Sequence, residues 1–189
     1  SVPNVEYTTL TQCRSWLPDP IGGIVWVALG AQDTSCYVPF YAGATEIPKS
    51  FAIGDHFVLD RASARWAFDY VDFHVQVAYN AAIEDVKAAR KTWEDGALDR
   101  VPEIDARAAE LYKKNPKEAV HFLTDFSLSN ATSVVGAWWK LGDDLWVKYN
   151  HLGLYNAEKR SSGRIPTANP EWWNRAVKAL DVLSEPDKK

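Results

Sequence analysis

The β signal of this chain is confined to one stretch. Between Gln12 and Tyr41 lie three strand-like runs, two tight turns and one arginine, Arg14, in a setting that reads as buried. Nearly everything that follows reads as helix. A cluster of a few strands cannot be a finished sheet, because it leaves an apolar face uncovered and its edges unpaired. The pattern therefore predicts that the chain is the carboxy-terminal part of a larger protein, with catalytic machinery upstream of Ser1. The lack of any methionine agrees with that expectation.

The strands can be placed from periodicity. Val5, Tyr7 and Thr9 fall on one face of the first, and Thr8, Leu10, Gln12 and Arg14 on the other. Pro18, Asp19 and Pro20 end it, since proline removes a ladder donor, and Gly22 and Gly23 continue the turn. Ile24 to Leu29 is an unbroken apolar run, as in a strand buried on both faces. Gly30 to Thr34 reads as a hairpin turn and Ser35 to Tyr41 as the third strand of an antiparallel meander.

Asp60 is placed to cap a long helix that runs to about Glu94 and stops at Gly96. Two apolar stripes run along it at 3–4 spacing: Trp66, Tyr70, Phe73, Val77, Ala81, and Phe68, Val71, Val75, Ala78, Ala82, Val86, Ala89, Trp93. Both sides of its middle should therefore be covered. A short helix is expected over residues 97–115 after Pro102. Pro116 opens another, antiparallel to the first and bent or interrupted at Gly142. Residues 150–169 read as loop, and Asn169 and Pro170 as the cap of a last helix reaching about Leu183. The fold class is α+β in one unit over 1–189, with strands over about 5–41 and helices over about 60–184.

Several functions find no support. The net charge is −4 and the 21 basic residues are scattered, so there is no nucleic-acid footprint. No run of 18 apolar residues exists to span a membrane. Localisation stays open, because any signal would lie upstream. Cys13 and Cys36 have no metal-ligand spacing; they stand as free thiols or as a pair. His56, His74, His121 and His151 form no ligand motif, and neither metal nor cofactor is expected. Asp33, Thr34 and Ser35 read as turn chemistry or a pocket mouth. Tyr37, Phe40 and Tyr41 read as packing or an aromatic wall. Asp69, Asp72 and Asp85 read as a solvated strip or acid–base groups. The Trp138–Trp139 and Trp172–Trp173 pairs read as packing. Ser1 could be an N-terminal nucleophile, but Pro3 breaks the strand such enzymes need.

Arg14 is the sharpest candidate. A buried arginine needs a carboxylate, either a structural partner or one belonging to a site. The block around it resembles the cysteine dipeptidases related to dipeptidase A, of the N-terminal-nucleophile hydrolases. The likeness rests on Gln12–Arg14, LPDPIGG at Leu17–Gly23, VWVALG at Val25–Gly30, SCYVPFY at Ser35–Tyr41 and DRASARWAF at Asp60–Phe68.

The resemblance implies a four-layered αββα architecture, of which this chain supplies later strands and covering helices. It implies hydrolysis of dipeptides or short peptides by an amino-terminal cysteine that no residue here matches. The chain alone should then be inactive, and Arg14 should line the active site. Two other functions stay in view, a non-catalytic helical assembly module and a hydrolase of other linear amides. The expected partners are a peptide substrate, the rest of the same polypeptide, and further copies that associate through exposed strand edges.

Overall fold

A computed structural model describes residues 5–150, 153–156, 158–164, 175–176 and 178–179. It is α+β, with a small antiparallel sheet and long helices. Strand β1 (Tyr7–Cys13) pairs with β2 (Gly23–Leu29), and β2 with β3 (Val38–Tyr41), in the order β1-β2-β3. The meander is as expected. The β1–β2 connection contains a single helical turn, α1 (Asp19–Gly22), with Pro20 in its first turn. Residues 30–37 form a longer connection than a hairpin turn, because Thr34, Ser35 and Cys36 are buried against helices instead of extending β3.

β2 is not buried on both faces. Ile24, Trp26 and Ala28 are buried, whereas Val25, Val27 and Leu29 between them are only half-buried. Cross-strand partners share a face, so Thr9 and Thr11 of β1 lie beside Val27 and Val25. Both threonines are exposed, and neither valine joins a core cluster. Val38 and Phe40, the valines' β3 partners on the same face, and Leu29 do pack into the core with Phe68, Val71 and Trp138, so only the β1 side of this face is uncovered among the described residues. The other face is covered: Ile24, Trp26 and Tyr41 pack with Ala97, Val101, Ala108 and Leu123.

A second single-turn helix, α2 (Lys49–Ala52), sets Phe51 edge-on against Phe40. The expected helix from Asp60 to Glu94 is two helices, α3 (Ala64–Val77) and α4 (Tyr79–Lys114). Asp60 does not cap α3. Its carboxylate accepts from the Ala62 amide and its carbonyl from the Ser63 amide, which makes a turn one step earlier. Ala78 leaves the helical region (φ −146°, ψ 50°), and the chain reverses there.

The reversal shows in the packing on α5 (Pro116–Lys148). Phe68 stacks on Trp138 and His74 lies on Trp146, so α3 runs parallel to α5. Asp85 meets Lys148 and Arg100 meets Asn130, so α4 runs antiparallel. Phe68, Val71 and Val75 of α3 and Ala82 and Val86 of α4 thereby face one core with Ala131, Val134 and Trp138. The break serves that core: a straight helix could not bring both halves of the stripe onto α5.

Two expected interruptions do not occur. α4 continues through Gly96 and Pro102, and α5 through Gly142. A proline in a helix interior costs about 3 kcal/mol, here offset by burial of Ala97, Val101 and Ala108 on the sheet side. Gly142 is a contact residue, since a Cβ there would strike the Tyr70 ring. α5 begins as expected, with Pro116 in its first turn and the Asn115 side chain accepting from the Lys117 amide at 3.1 Å.

The loop expected over 150–169 contains a hairpin, β4 (Gly153–Asn156) with β5 (Ser161–Arg164). Arg160, at φ 47°, makes its turn. Of the last expected helix, residues 175–176 and 178–179 are helical. The rest of it, with Trp172 and Trp173, lies outside the described residues, as do Ser1 and His151. No helix among the described residues is long and apolar enough to cross a membrane.

Candidate functional site

Arg14 follows directly on β1 and is only 7% exposed. It is buried because the chain doubles back over it. Its amide donates to the Gly22 carbonyl at 2.9 Å, and the Leu17 amide donates to its carbonyl at 3.1 Å. Gly22 allows that closeness, because a Cβ there would lie 2.7 Å from the Arg14 carbonyl oxygen. The guanidinium then donates to the carbonyls closing α1: Nη2 to Ile21 at 2.6 Å and Nε to Gly22 at 3.3 Å.

Its third partner is a carboxylate. Nη1 is ion-paired with Asp105 of α4, 91 residues away in sequence. The other oxygen of Asp105 accepts from the Tyr41 hydroxyl at 2.8 Å. Arg14, Tyr41 and Asp105 thus join both outer strands, at one end of the sheet, to α4. Burial and the Asp105 carboxylate push the Tyr41 phenol well above its usual range, so it stays a donor. The guanidinium carbon lies 5.9 Å from the centre of the Tyr41 ring.

A structural partner therefore accounts for Arg14, one of the two roles the residues alone allow. Sequence reasoning misses Asp105. The signal is present: it stands at helical spacing between Val101 and Ala108, a lone acid in an apolar stripe. The trio holds an anion, a cation and a hydroxyl but no nucleophile. Cys13 is adjacent in sequence, yet it is exposed and shares the opposite face with Gly23.

The other candidates fall elsewhere. Cys13 and Cys36 are both free, and burial with the nearby Glu94 carboxylate pushes the Cys36 thiol far above its usual range. Thr34 donates to Asp72 at 2.9 Å, Tyr79 donates to Asp33 at 2.8 Å, and Ser35 is buried, so this turn is anchored to α3 and α4. Asp69 pairs with Arg65, and Asp85 accepts from Lys148 and the Tyr149 hydroxyl. These acids are cross-links held by separate partners, neither a free strip nor an acid–base pair. Phe40 and Tyr41 pack edge-on against Phe51 and Phe126. Among the described residues no three His, Cys, Asp or Glu side chains converge as metal ligands would.

No curated protein matches the chain. A family model does: residues 1–92 match Peptidase family C69. The match takes in the sheet, the Arg14 turn and α3, the same segments whose motifs resemble the cysteine dipeptidases. The match supports a peptidase, and residues 1–92, just under half of the chain, are similar to the cysteine-type Peptidase family C69.

Proposed function

We propose that this chain is the carboxy-terminal part of a cysteine dipeptidase. It would supply late strands and covering helices of an αββα domain whose nucleophile lies upstream. The observation that carries the proposal is an unfinished sheet inside the family match. Among the described residues the outer edge of β1 has no strand partner, and on one face Thr9 and Thr11 are exposed beside the half-buried Val25 and Val27. β1 also lacks the charges and prolines that guard a permanently exposed edge. A second sheet stacking about 10 Å away would cover the β1 side of that face.

In this reading an amino-terminal cysteine thiolate attacks the scissile carbonyl of a dipeptide or short peptide. The tetrahedral adduct collapses, and the C–N bond breaks as the leaving amine takes a proton. Water then hydrolyses the thioester and restores the thiol. Arg14 would act as a positioning residue, holding the α1 turn and its end of the sheet in register beside the site.

The test is dipeptide hydrolysis by the complete polypeptide and by this chain alone, with thiol alkylation as control. The complete protein should turn over and lose activity on alkylation, while this chain should be inert. Turnover by the chain alone would overturn the proposal. In the complete protein Arg14→Lys should lower kcat about tenfold or more, since an ammonium cannot reproduce the planar fork of donors. Unchanged activity would remove Arg14 from the site.

A further inference from the structure

Among the described residues, nothing covers the outer part of one of the two stripes expected to be covered. Trp66 and Tyr70 of α3 are half-buried, while Phe73 and Val77 are exposed, Phe73 at 69%. Trp146 of α5, 53% exposed, continues this surface, followed by Val147 and, on the hairpin, Tyr155. Three adjoining depressions have Trp146 in their walls. One includes Phe73 and Val77, a second Leu59, Trp66 and Tyr70, and the third Val147 and Tyr155. No residue of β1, β2 or β3 lines any of them, so this patch and the open sheet are separate surfaces.

The rings are held for contact. The His74 ring bonds to the Tyr70 carbonyl at 2.6 Å and lies 4.9 Å from the centre of Trp146. Arg61 sits 5.2 Å from the Tyr70 ring and 4.6 Å from that of Trp139. Aromatic side chains fixed in this way lose little freedom on association.

From the surface such side chains present when free, the exposed part amounts to on the order of 700 Å². The largest apolar patch of an ordinary monomer is about 300–600 Å². One side of a standard protein interface is about 800 Å². We propose that the occupant is a second copy of this chain, docked face to face through Trp146 and the α3 stripe. The area suits a dimer, and homodimer interfaces are the apolar, aromatic-rich kind. The rim carries both signs: Arg61 lies beside Asp143, and Arg65 pairs with Asp69 and Glu6, so a two-fold can set opposite charges against each other. A two-fold axis would lay each stripe against its own counterpart. The inference requires no catalytic role, so it stands or falls apart from the dipeptidase reading.

Sedimentation velocity on the 189-residue chain over a range of concentrations is the experiment. A concentration-dependent dimer is expected. Trp146→Glu and Phe73→Glu should each weaken it roughly thirtyfold or more, as for central aromatic anchors, with the helical circular-dichroism signal retained. Leu10→Lys, on the free edge of β1, should leave it intact. A chain monomeric at every concentration overturns the proposal, including one in which the segment after residue 164 shields Trp146 from a collisional quencher. So does a dimer broken by Leu10→Lys and indifferent to both patch variants, which would be pairing through the strand edge.

Discussion

Glu94 accepts the Tyr37 amide at 2.9 Å from a half-buried position on α4. Loss of water raises its pKa above the ordinary carboxylate range, against the opposing effects of that amide and of Arg90. The folded state thus disfavours the ionised carboxyl more than the unfolded chain does. The cost is fully present at neutral pH, falls as pH drops through the raised value, and is gone below about 4.3. Glu94→Gln can still accept the Tyr37 amide, so it should raise the melting midpoint at pH 7. That gain should shrink towards zero near pH 4; a gain independent of pH would sink the argument. Glu94 does not stand out in the sequence, and Asp105 shows only as a lone acid in an apolar stripe, because helical spacing marks a face but not what lies opposite it. Arg14 does stand out, because a cation in an apolar strand context is conspicuous in any sequence.

At the scale of elements, three glycines that look alike in sequence behave differently. A Cβ added at Gly96 of α4 or Gly136 of α5 would meet open space, whereas one at Gly142 would strike the Tyr70 ring. Gly96→Ala and Gly136→Ala should each stabilise the protein by about 0.5–1 kcal/mol through helix propensity. Gly142→Ala should destabilise it by about 1–3 kcal/mol through overpacking. Thermal melts of the three variants would test this, and a common sign would refute it. Gly96 reads as a helix end, Pro102 as the start of a new helix and Gly142 as a bend or interruption, because local propensity penalises all three. The helices continue because burial of Ala97, Val101, Ala108 and Leu145 outweighs that penalty. The real break, at Ala78, has no local mark, since neither glycine nor proline stands there.

For the whole molecule the decisive feature is what the sheet leaves open. Among the described residues β1 pairs on one side only, so about every second amide between Tyr7 and Cys13 points away from β2. In this chain alone those amides should exchange with deuterium quickly, while the amides bonded to β2 exchange slowly. In the complete polypeptide both sets should be protected. Rapid exchange of the outward set there would mean that no strand adds to β1, and the proposed αββα assembly would need another geometry. The apolar stripe of α3 makes the same point on the helical side. Its spacing predicts a covered face, yet periodicity cannot say whether the cover comes from the same chain or from another.

Alternation and turn residues by themselves determined the antiparallel meander, and 3–4 spacing determined that helices follow it. Both are local properties, written in neighbours a few residues apart. The motifs between Gln12 and Phe68 also carried the likeness to the peptidase family, because they lie within the matched residues 1–92. Only the tertiary structure decided where the long helix reverses, which carboxylate receives Arg14, and which face of β2 and which helical stripe are left partly uncovered among the described residues. Each of these depends on residues tens of positions apart meeting in space. Arg14 and Asp105 are 91 residues apart and buried together, and the low dielectric of that contact gives the pair its strength.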